Sequence, residues 1–240
     1  MWLISRASMS ITYNIARVTL TKIYNIFLKT PAVLDSKDFF PQAFIFVDNW
    51  AKIREEAKVL IDNVKNVPRF HDLMPEQYKL SAHGEKEWRM FVVRAYGLDI
   101  KENMERCPTL AKLVRLNPNV KSASLSFLAP GKRVPKHIGP FRGITRFYLG
   151  IDVPLDAKGR PGVVLTIENE DYRLGNGESL LWDDTYSHSA YNMTEEWRCA
   201  LLLDIYRMNM PAFLRLLTNM VLGLARLTIK WRGIFPKEFA

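Results

Sequence analysis

Residues 179–206 read SLLWDDTYSHSAYNMTEEWRCALLLDIY, and this stretch decides the fold of the chain. Short runs with a period of two, bounded by polar links, predict β-strands rather than helices. The three predicted strands are Ser179–Trp182, His188–Asn192 and Arg198–Tyr206. A histidine therefore begins one strand, and an arginine begins the next.

The period of two already begins at Ser122. Four further strands are predicted before the quoted stretch: Ser122–Leu128, Gly143–Val153, Val163–Glu168 and Asp171–Leu174. The sequence Gly175-Asn176-Gly177 is typical of a turn between two strands. Many short strands separated by Gly and Pro indicate a barrel or a double-sheet jelly roll.

Helices are predicted mainly ahead of these strands. The elements expected in this part are helices at Asn49–Asn63 and Thr109–Leu116, a strand at Trp88–Tyr96, irregular chain over 31–48 and a long loop over Val67–Lys86. Because the strands dominate and the helices come first, we expect a mainly β fold of the α+β class with helical cover.

One domain is expected, with an appendage at each end. A chain of 240 residues with 48% apolar residues can bury one sizeable core. We place the domain at 35–206, between an N-terminal segment 1–34 and a C-terminal helix 207–240. The two cysteines give no disulfide framework, which favours a reducing compartment and a cytoplasmic location.

The net charge of +9 belongs to the two ends of the chain. Residues 1–34 carry four bases and no acid, and residues 205–240 carry six bases and one acid, so the residues between them balance to zero. Both ends are also rich in apolar residues. Because the bases lie among Leu, Met and Val, a nucleic-acid partner is not expected.

Basic amphipathic helices of this kind commonly lie in a membrane interface. No uninterrupted apolar run reaches the length of about 18 residues that a membrane span needs. We therefore expect peripheral binding to an anionic membrane surface, on the inner face of the cytoplasmic membrane. The alternative is that both ends are ordinary helices that cover the barrel or form a dimer contact.

Three residues at strand edges carry the chemistry. His137 and His188 are two imidazoles that a β-scaffold can bring together, and non-haem Fe(II) sites commonly use two histidines and a carboxylate. Arg198 offers the planar fork that holds a carboxylate in a bidentate manner. It begins an apolar strand, so an inward-facing arginine there needs an anionic partner. The usual carboxylate after the first histidine is missing, because Gly139 stands in its place.

Several motifs resemble the aspartyl/asparaginyl β-hydroxylase family. They are Ser126–Pro140 (SFLAPGKRVPKHIGP), Arg146–Gly150 (RFYLG), Trp182–His188 (WDDTYSH), Asn49–Glu56 (NWAKIREE) and the pair Cys107-Pro108. The resemblance covers roughly residues 35–206. It implies a double-stranded β-helix of jelly-roll, cupin-like type and an enzyme that uses Fe(II), 2-oxoglutarate and O2.

The resemblance also implies residue roles. It makes His137 and His188 the iron ligands, Arg198 the anchor of the 2-oxoglutarate side carboxylate, and Asp184 a group near the metal that orders a bound water. Ser126 and Arg146 would line the co-substrate pocket. Tyr148 stands where the family commonly has histidine, which puts its contact with the co-substrate in doubt.

The substrate is left open by the sequence. In this family the aspartyl hydroxylases have His-x-Gly, whereas members that hydroxylate the acyl chain of lipid A more often have His-x-Asp. Gly139 therefore favours an Asp or Asn residue as substrate. The size of the chain, the Asp-Asn-Trp sequence at 48–50 and the amphipathic ends favour an acyl chain of a membrane lipid, lipid A-like or an amino lipid, which we prefer. A non-catalytic membrane adaptor that kept the fold and lost the metal is the alternative from another class, and the oligomeric state is open.

Overall fold

The computed structural model describes residues 18–82, 84 and 86–232. The helices are α1 (18–27), α2 (Ser36–Phe39), α3 (Ala43–Val47), α4 (Trp50–Asp62), α5 (Phe70–Leu73), α6 (Tyr78–Ser81), α7 (Lys101–Arg106), α8 (Pro108–Leu116) and α9 (Ala212–Arg232), with 3-10 turns at Val64–Asn66 and Pro75–Gln77. The strands are β1 (Val33–Leu34), β2 (Trp88–Ala95), β3 (Leu98–Asp99), β4 (Val120–Leu128), β5 (Arg133–His137), β6 (Ile144–Asp152), β7 (Val163–Ile167), β8 (Glu170–Tyr172), β9 (Ser179–Trp182), β10 (His188–Asn192) and β11 (Arg198–Tyr206).

The strands form two antiparallel sheets. The larger has the order β1-β9-β6-β11-β4-β2-β3, and the smaller has the order β5-β10-β7-β8. From β4 to β11 the chain passes repeatedly between the sheets, so that strands distant in sequence become neighbours. This route is that of a jelly roll, and it confirms the expected fold class. It also places the ends of strands from both sheets around one pocket.

Periodic patterns predicted the main strands well. The predicted bounds of β9, β10 and β11 are those observed, and those of β2, β4, β6, β7 and β8 differ by one or two residues. Gly177 has a φ of +77° in the expected turn before β9, a conformation that glycine adopts without strain.

Several regions differ from the prediction. The long loop expected over Val67–Lys86 is wrong, because α5 and α6 lie within it. The irregular chain expected over 31–48 contains β1, α2 and α3, and neither α7 nor β5 was predicted. These elements are short, and β5 (RVPKH) contains a proline and two basic residues, so none of them has a clear period.

The main core lies between the larger sheet and helices α4 and α8. On α4 the side chains of Ile53, Ala57 and Leu60 are buried, at the helical spacing of three and four residues. They pack with buried residues of the sheet such as Phe147 and Leu203. The other face of this sheet carries Ser126, Arg146, Tyr148 and Arg198, whereas His137 and His188 lie on the smaller sheet.

A buried ion cluster fixes the loop between β9 and β10. Asp183 is fully buried, and its Oδ2 accepts from Arg142 Nε at 2.8 Å and from Arg207 Nη2 at 2.5 Å. Arg142 also donates to Asn25 on α1, and Arg207 donates to Thr30. The cluster therefore ties the N-terminal part of the described chain to the loop that leads into His188.

Candidate metal and co-substrate site

His137 and His188 face each other across two paired strands. They are direct partners in the register of β5 and β10, and their ring centroids lie 4.1 Å apart. Residues directly opposite on an antiparallel pair place their side chains on the same face. The pairing therefore brings together two imidazoles that are 51 residues apart in the sequence.

Both imidazoles are held as the same neutral tautomer. His137 Nδ1 lies 2.8 Å from the carbonyl oxygen of Pro135, and His188 Nδ1 lies 2.9 Å from that of Tyr186. A carbonyl only accepts, so each Nδ1 carries the proton and each Nε2 keeps its lone pair. Burial lowers the pKa of His137, and burial together with the neighbouring His137 lowers the pKa of His188 to about 3. Two neutral nitrogen donors are the state that a metal ion requires.

Arg198 is a buried cation in the same pocket. It is 4% exposed, and its Nη1 donates to the carbonyl oxygen of Ser126 at 3.1 Å. Its Nε has no hydrogen-bond partner among the described residues, and none of the ion pairs between described residues includes Arg198. Burial lowers the pKa of Arg198. A buried guanidinium in this state is a site for an anion.

The pocket that contains these groups has a cavity volume of about 70 Å³ and opens to solvent. Its wall is mostly apolar and aromatic; the apolar lining residues are Trp88, Leu128, Val134, Tyr148, Val163, Leu165, Tyr172, Leu174, Trp182, Ala190 and Leu202. The Ser126 hydroxyl accepts from Trp88 Nε1 at 2.9 Å, and the Arg198 guanidinium lies 5.8 Å from the centre of the Tyr148 ring. Few polar groups therefore project into a largely apolar cavity.

Arg146 also lines the pocket, but it is paired. Its Nε donates to Asp204 at 2.8 Å, and its Nη2 lies 3.3 Å from Asp184 Oδ2. Burial acts to lower the pKa of Arg146, and the two carboxylates outweigh burial and raise it. Burial raises the pKa of Asp184 to about 7, although Arg146 opposes that shift. Asp184 Oδ1 has no hydrogen-bond partner among the described residues.

Asp184 fills the space beside Gly139. A Cβ atom on Gly139 would lie 2.3 Å from the carboxyl carbon of Asp184, and the Gly139 amide donates to the Asp184 carbonyl oxygen at 2.6 Å. The carboxylate that is missing after His137 in the sequence thus has a counterpart in space. Within the described ranges, however, no group of three His, Cys, Asp or Glu side chains is arranged to hold a metal ion.

The structure brings most of the predicted residues to one pocket. Six of the seven line it, namely Ser126, His137, Arg146, Tyr148, His188 and Arg198. Asp184 lies behind them against Arg146. Sequence reasoning missed Asp204, whose pairing with Arg146 required the register of β6 and β11. It also missed the contact of Trp88 with Ser126, which follows from the pairing of β2 with β4.

A jelly roll with two neutral histidines and a buried arginine at one pocket has donors suited to a metal ion and a cation suited to an anion. The profile of the aspartyl/asparaginyl β-hydroxylase family matches residues 47–208, which is more than half of the chain. The chain therefore belongs to this family, as its motifs suggested.

Three relatives indicate the range of the family. The chain is 28% identical over 180 residues to an ornithine lipid ester-linked acyl 2-hydroxylase of Rhizobium tropici, covering 75% of this chain and 62% of that protein. It is 25% identical to aspartate β-hydroxylase domain-containing protein 2 of Xenopus tropicalis (68% and 44%) and 23% identical to human aspartyl/asparaginyl β-hydroxylase (66% and 20%). The chain thus spans less than two thirds of the length of each of these relatives.

Solved structures similar to this chain include cupin domains. A predicted oxalate decarboxylase of Thermotoga maritima has a TM-score of 0.32 at 21% identity, covering 50% of this chain and 81% of that one. The cupin domain of Cnp3 from Schizosaccharomyces pombe has a TM-score of 0.30 at 13% identity, covering 48% and 66%. At these scores the fold assignment depends on the strand order described above.

We predict that Gly139→Ala destabilises the protein and disturbs the site. The added methyl group would overlap the Asp184 carboxyl group, and overpacking of this kind costs about 1–3 kcal/mol. Urea unfolding of the chelator-treated protein measures the loss. The double variant Gly139→Ala/Asp184→Ala removes the overlap and should lose less than the sum of the two single variants. Strictly additive losses would mean that the two positions are not in contact.

Proposed function

We propose that this protein is an Fe(II)- and 2-oxoglutarate-dependent dioxygenase that hydroxylates an unactivated C–H bond on an acyl chain of a membrane lipid. The observation that carries the proposal is the pairing, in one apolar pocket, of two neutral facing imidazoles with a buried arginine that has no acidic partner among the described residues. Membership of a hydroxylase family supports it.

The donor set fits Fe(II). Imidazole nitrogen is a good ligand for this ion, and both Nε2 atoms are left unprotonated by the carbonyl bonds at Nδ1. When bound, Fe(II) would supply the redox chemistry by which O2 oxidises 2-oxoglutarate to succinate and CO2 and hydroxylates a C–H bond. His137 and His188 would be the protein ligands of the ion.

The other side chains of the pocket would bind the co-substrate and orient it. Arg198 would hold the distal carboxylate of 2-oxoglutarate, with Ser126 and Tyr148 beside it, because a buried guanidinium binds a carboxylate strongly where water is excluded. Asp184, fixed by Arg146, would accept a hydrogen bond from a water at the site. The apolar wall would keep bulk water away from the reacting groups.

The charges of the pocket favour an acyl chain over an acidic substrate. Arg146 and Arg198 are the cations that line it. Arg146 is already paired with Asp204 and Asp184, and Arg198 is assigned to the co-substrate. A substrate carboxylate would then meet no unpaired cation in the described lining, whereas an alkyl chain suits the apolar wall. The similarity to a lipid acyl 2-hydroxylase points the same way.

The second candidate is an aspartyl/asparaginyl hydroxylase that acts on a peptide or a free amino acid. Gly139 and its contact with Asp184 favour it, since the His-x-Gly pattern resembles that of the aspartyl hydroxylases. In this case Arg146 would have to exchange one of its two carboxylates for the carboxylate of the substrate.

The iron and co-substrate assignment is tested by anaerobic titration. Addition of Fe(II) and then 2-oxoglutarate should produce a visible charge-transfer band, and His137→Ala and His188→Ala should each abolish both the band and the formation of succinate. Circular dichroism checks that the variants remain folded. If the unchanged protein gives no band, the proposal is wrong, and the non-catalytic adaptor becomes the better interpretation.

The role of Arg198 predicts a change in co-substrate binding. Arg198→Ala should raise the concentration of 2-oxoglutarate needed for half-saturation by at least roughly thirtyfold, since a charge-assisted hydrogen bond contributes about 2 kcal/mol. Iron binding in the absence of 2-oxoglutarate should change little. The control is Arg160→Ala, which removes an exposed arginine outside the pocket. An unchanged requirement in Arg198→Ala would remove the assignment.

The substrate is tested by mass spectrometry of lipids from cells with and without the gene. The expected result is a gain of one oxygen atom on an acyl chain, present with the gene and lost in His188→Ala. A peptide library with Asp and Asn residues tests the second candidate in parallel. Hydroxylation of peptides with unchanged lipids would replace the acyl substrate by the peptide.

A further inference from the structure

Helix α9 carries an apolar stripe on its solvent side. The stripe consists of six large side chains at spacings of three and four residues, and all of them are exposed: Phe213, Leu216, Met220, Leu224, Leu227 and Trp231. This spacing keeps them on one face of a helix. Phe27, on α1, contacts Phe213 edge to face with ring centroids 4.8 Å apart, and Ile26 beside it is 65% exposed. The stripe and the end of α1 thus form one apolar surface.

The opposite side of α9 is fixed to the domain along much of its length. Leu214 and Leu222 are buried, and the buried Thr218 hydroxyl lies 2.7 Å from the Tyr24 hydroxyl of α1. Further along, Arg226 Nε donates to the carbonyl oxygen of Tyr96. These contacts make α9 a helix that lies flat against the domain.

By length and composition alone, Ala212–Trp231 could cross a membrane, with a mean hydropathy of 1.4. Arg215 and Arg226 nevertheless interrupt the apolar run of this helix. The packing argues against crossing, because a helix that left the domain would expose Leu214 and Leu222 and break the bonds of Thr218 and Arg226. An orientation in the plane of the interface keeps all of these contacts.

The exposed bases on α9 and in the α1 region favour an anionic partner. Arg215 and Lys230 are exposed on α9, Lys22 is exposed on α1, and Lys29 is exposed two residues after the end of α1. Neither helix contains an acidic residue. A second copy of the chain would bring like charges together across the stripe, whereas anionic lipid headgroups complement them.

We propose that α9 and the end of α1 form a docking surface for a lipid bilayer that contains anionic headgroups. In the docked state α9 lies in the interface, its stripe enters the acyl boundary, and Arg215 and Lys230 meet the headgroups. The surface does not depend on the reaction proposed above, and it binds vesicles whether or not iron is present.

Helices α1 and α9 also contact the segment that follows His137, through residues outside the exposed stripe. Phe141 packs edge to face on Tyr24, and Arg142 donates to Asn25. A Cβ atom on Gly143 would lie 2.6 Å from the Thr218 hydroxyl oxygen. The described chain therefore connects the docking surface to the metal site through a few residues, so that a docked protein holds its site at a fixed distance from the bilayer.

Vesicle flotation with the full chain tests the proposal. The probes are vesicles of phosphatidylcholine alone and vesicles that also contain phosphatidylglycerol. The protein should bind the anionic vesicles at least tenfold more tightly, and high salt should weaken that binding. Arg215→Gln/Lys230→Gln should reduce it by roughly twenty-five-fold, because each base near an anionic surface contributes about fivefold. Equal binding to both vesicle types would overturn the electrostatic part of the proposal.

The stripe is tested by Leu224→Glu, which should reduce binding to anionic vesicles at least tenfold. The matched control is Leu116→Glu on α8, where a leucine is equally exposed at 63% but lies outside the surface. Circular dichroism checks both variants. Equal losses in the two variants would contradict the assignment.

Two further outcomes would overturn the proposal. In one, the unchanged protein does not bind vesicles and light scattering shows a dimer that Leu224→Glu converts to a monomer. The stripe would then be a contact between two copies of the chain. In the other outcome, alkaline carbonate does not extract the bound protein from the vesicles, which would mean that α9 crosses the bilayer. Release by carbonate is the result expected for a helix in the interface.

Discussion

The site depends on the register between β5 and β10. His137 and His188 are opposite each other only in this register, and a slip of one residue in either strand would turn one imidazole to the other face of the sheet. The pairing of β10 with β7 on its other edge is regular from His188 to Asn192 and holds β10 in place. The pairing with β5 shifts between His188 and Ala190, so regular pairing on one side compensates for the irregularity on the other.

The two adjacent carboxylates before His188 have different roles. Asp183 is enclosed by Arg142 and Arg207 and fixes the loop, whereas Asp184 lies against Arg146 and Gly139 beside the pocket. Removing one partner of a buried ion cluster typically costs about 3–5 kcal/mol, because the remaining charge is left unpaired. The geometry of His188 is therefore supported by residues as distant in sequence as Asn25 and Arg207.

Much of the fold was predictable from local pattern, and the residues of the site were predictable from strand edges and the family motifs. β9, β10 and β11 have clear periods and polar boundaries, so their limits followed directly. β5 lacked such a pattern, although it carries His137. The cluster of Asp183 with Arg142 and Arg207 was not predictable, because its members are spaced 24 and 41 residues from Asp183 and have no local signal. The contact between Gly139 and Asp184 likewise exists only once the strands are paired.

The contact between Gly139 and Asp184 constrains how the sequence of this site can change in evolution. A carboxylate two residues after the first histidine and a carboxylate at position 184 would compete for the same space. Any substitution that adds a side chain at 139 is unfavourable while Asp184 is present, and loss of Asp184 first leaves Arg146 with one carboxylate fewer. A lineage that passes between His-x-Gly and His-x-Asp must therefore change both positions nearly together, so the two positions should covary across the family.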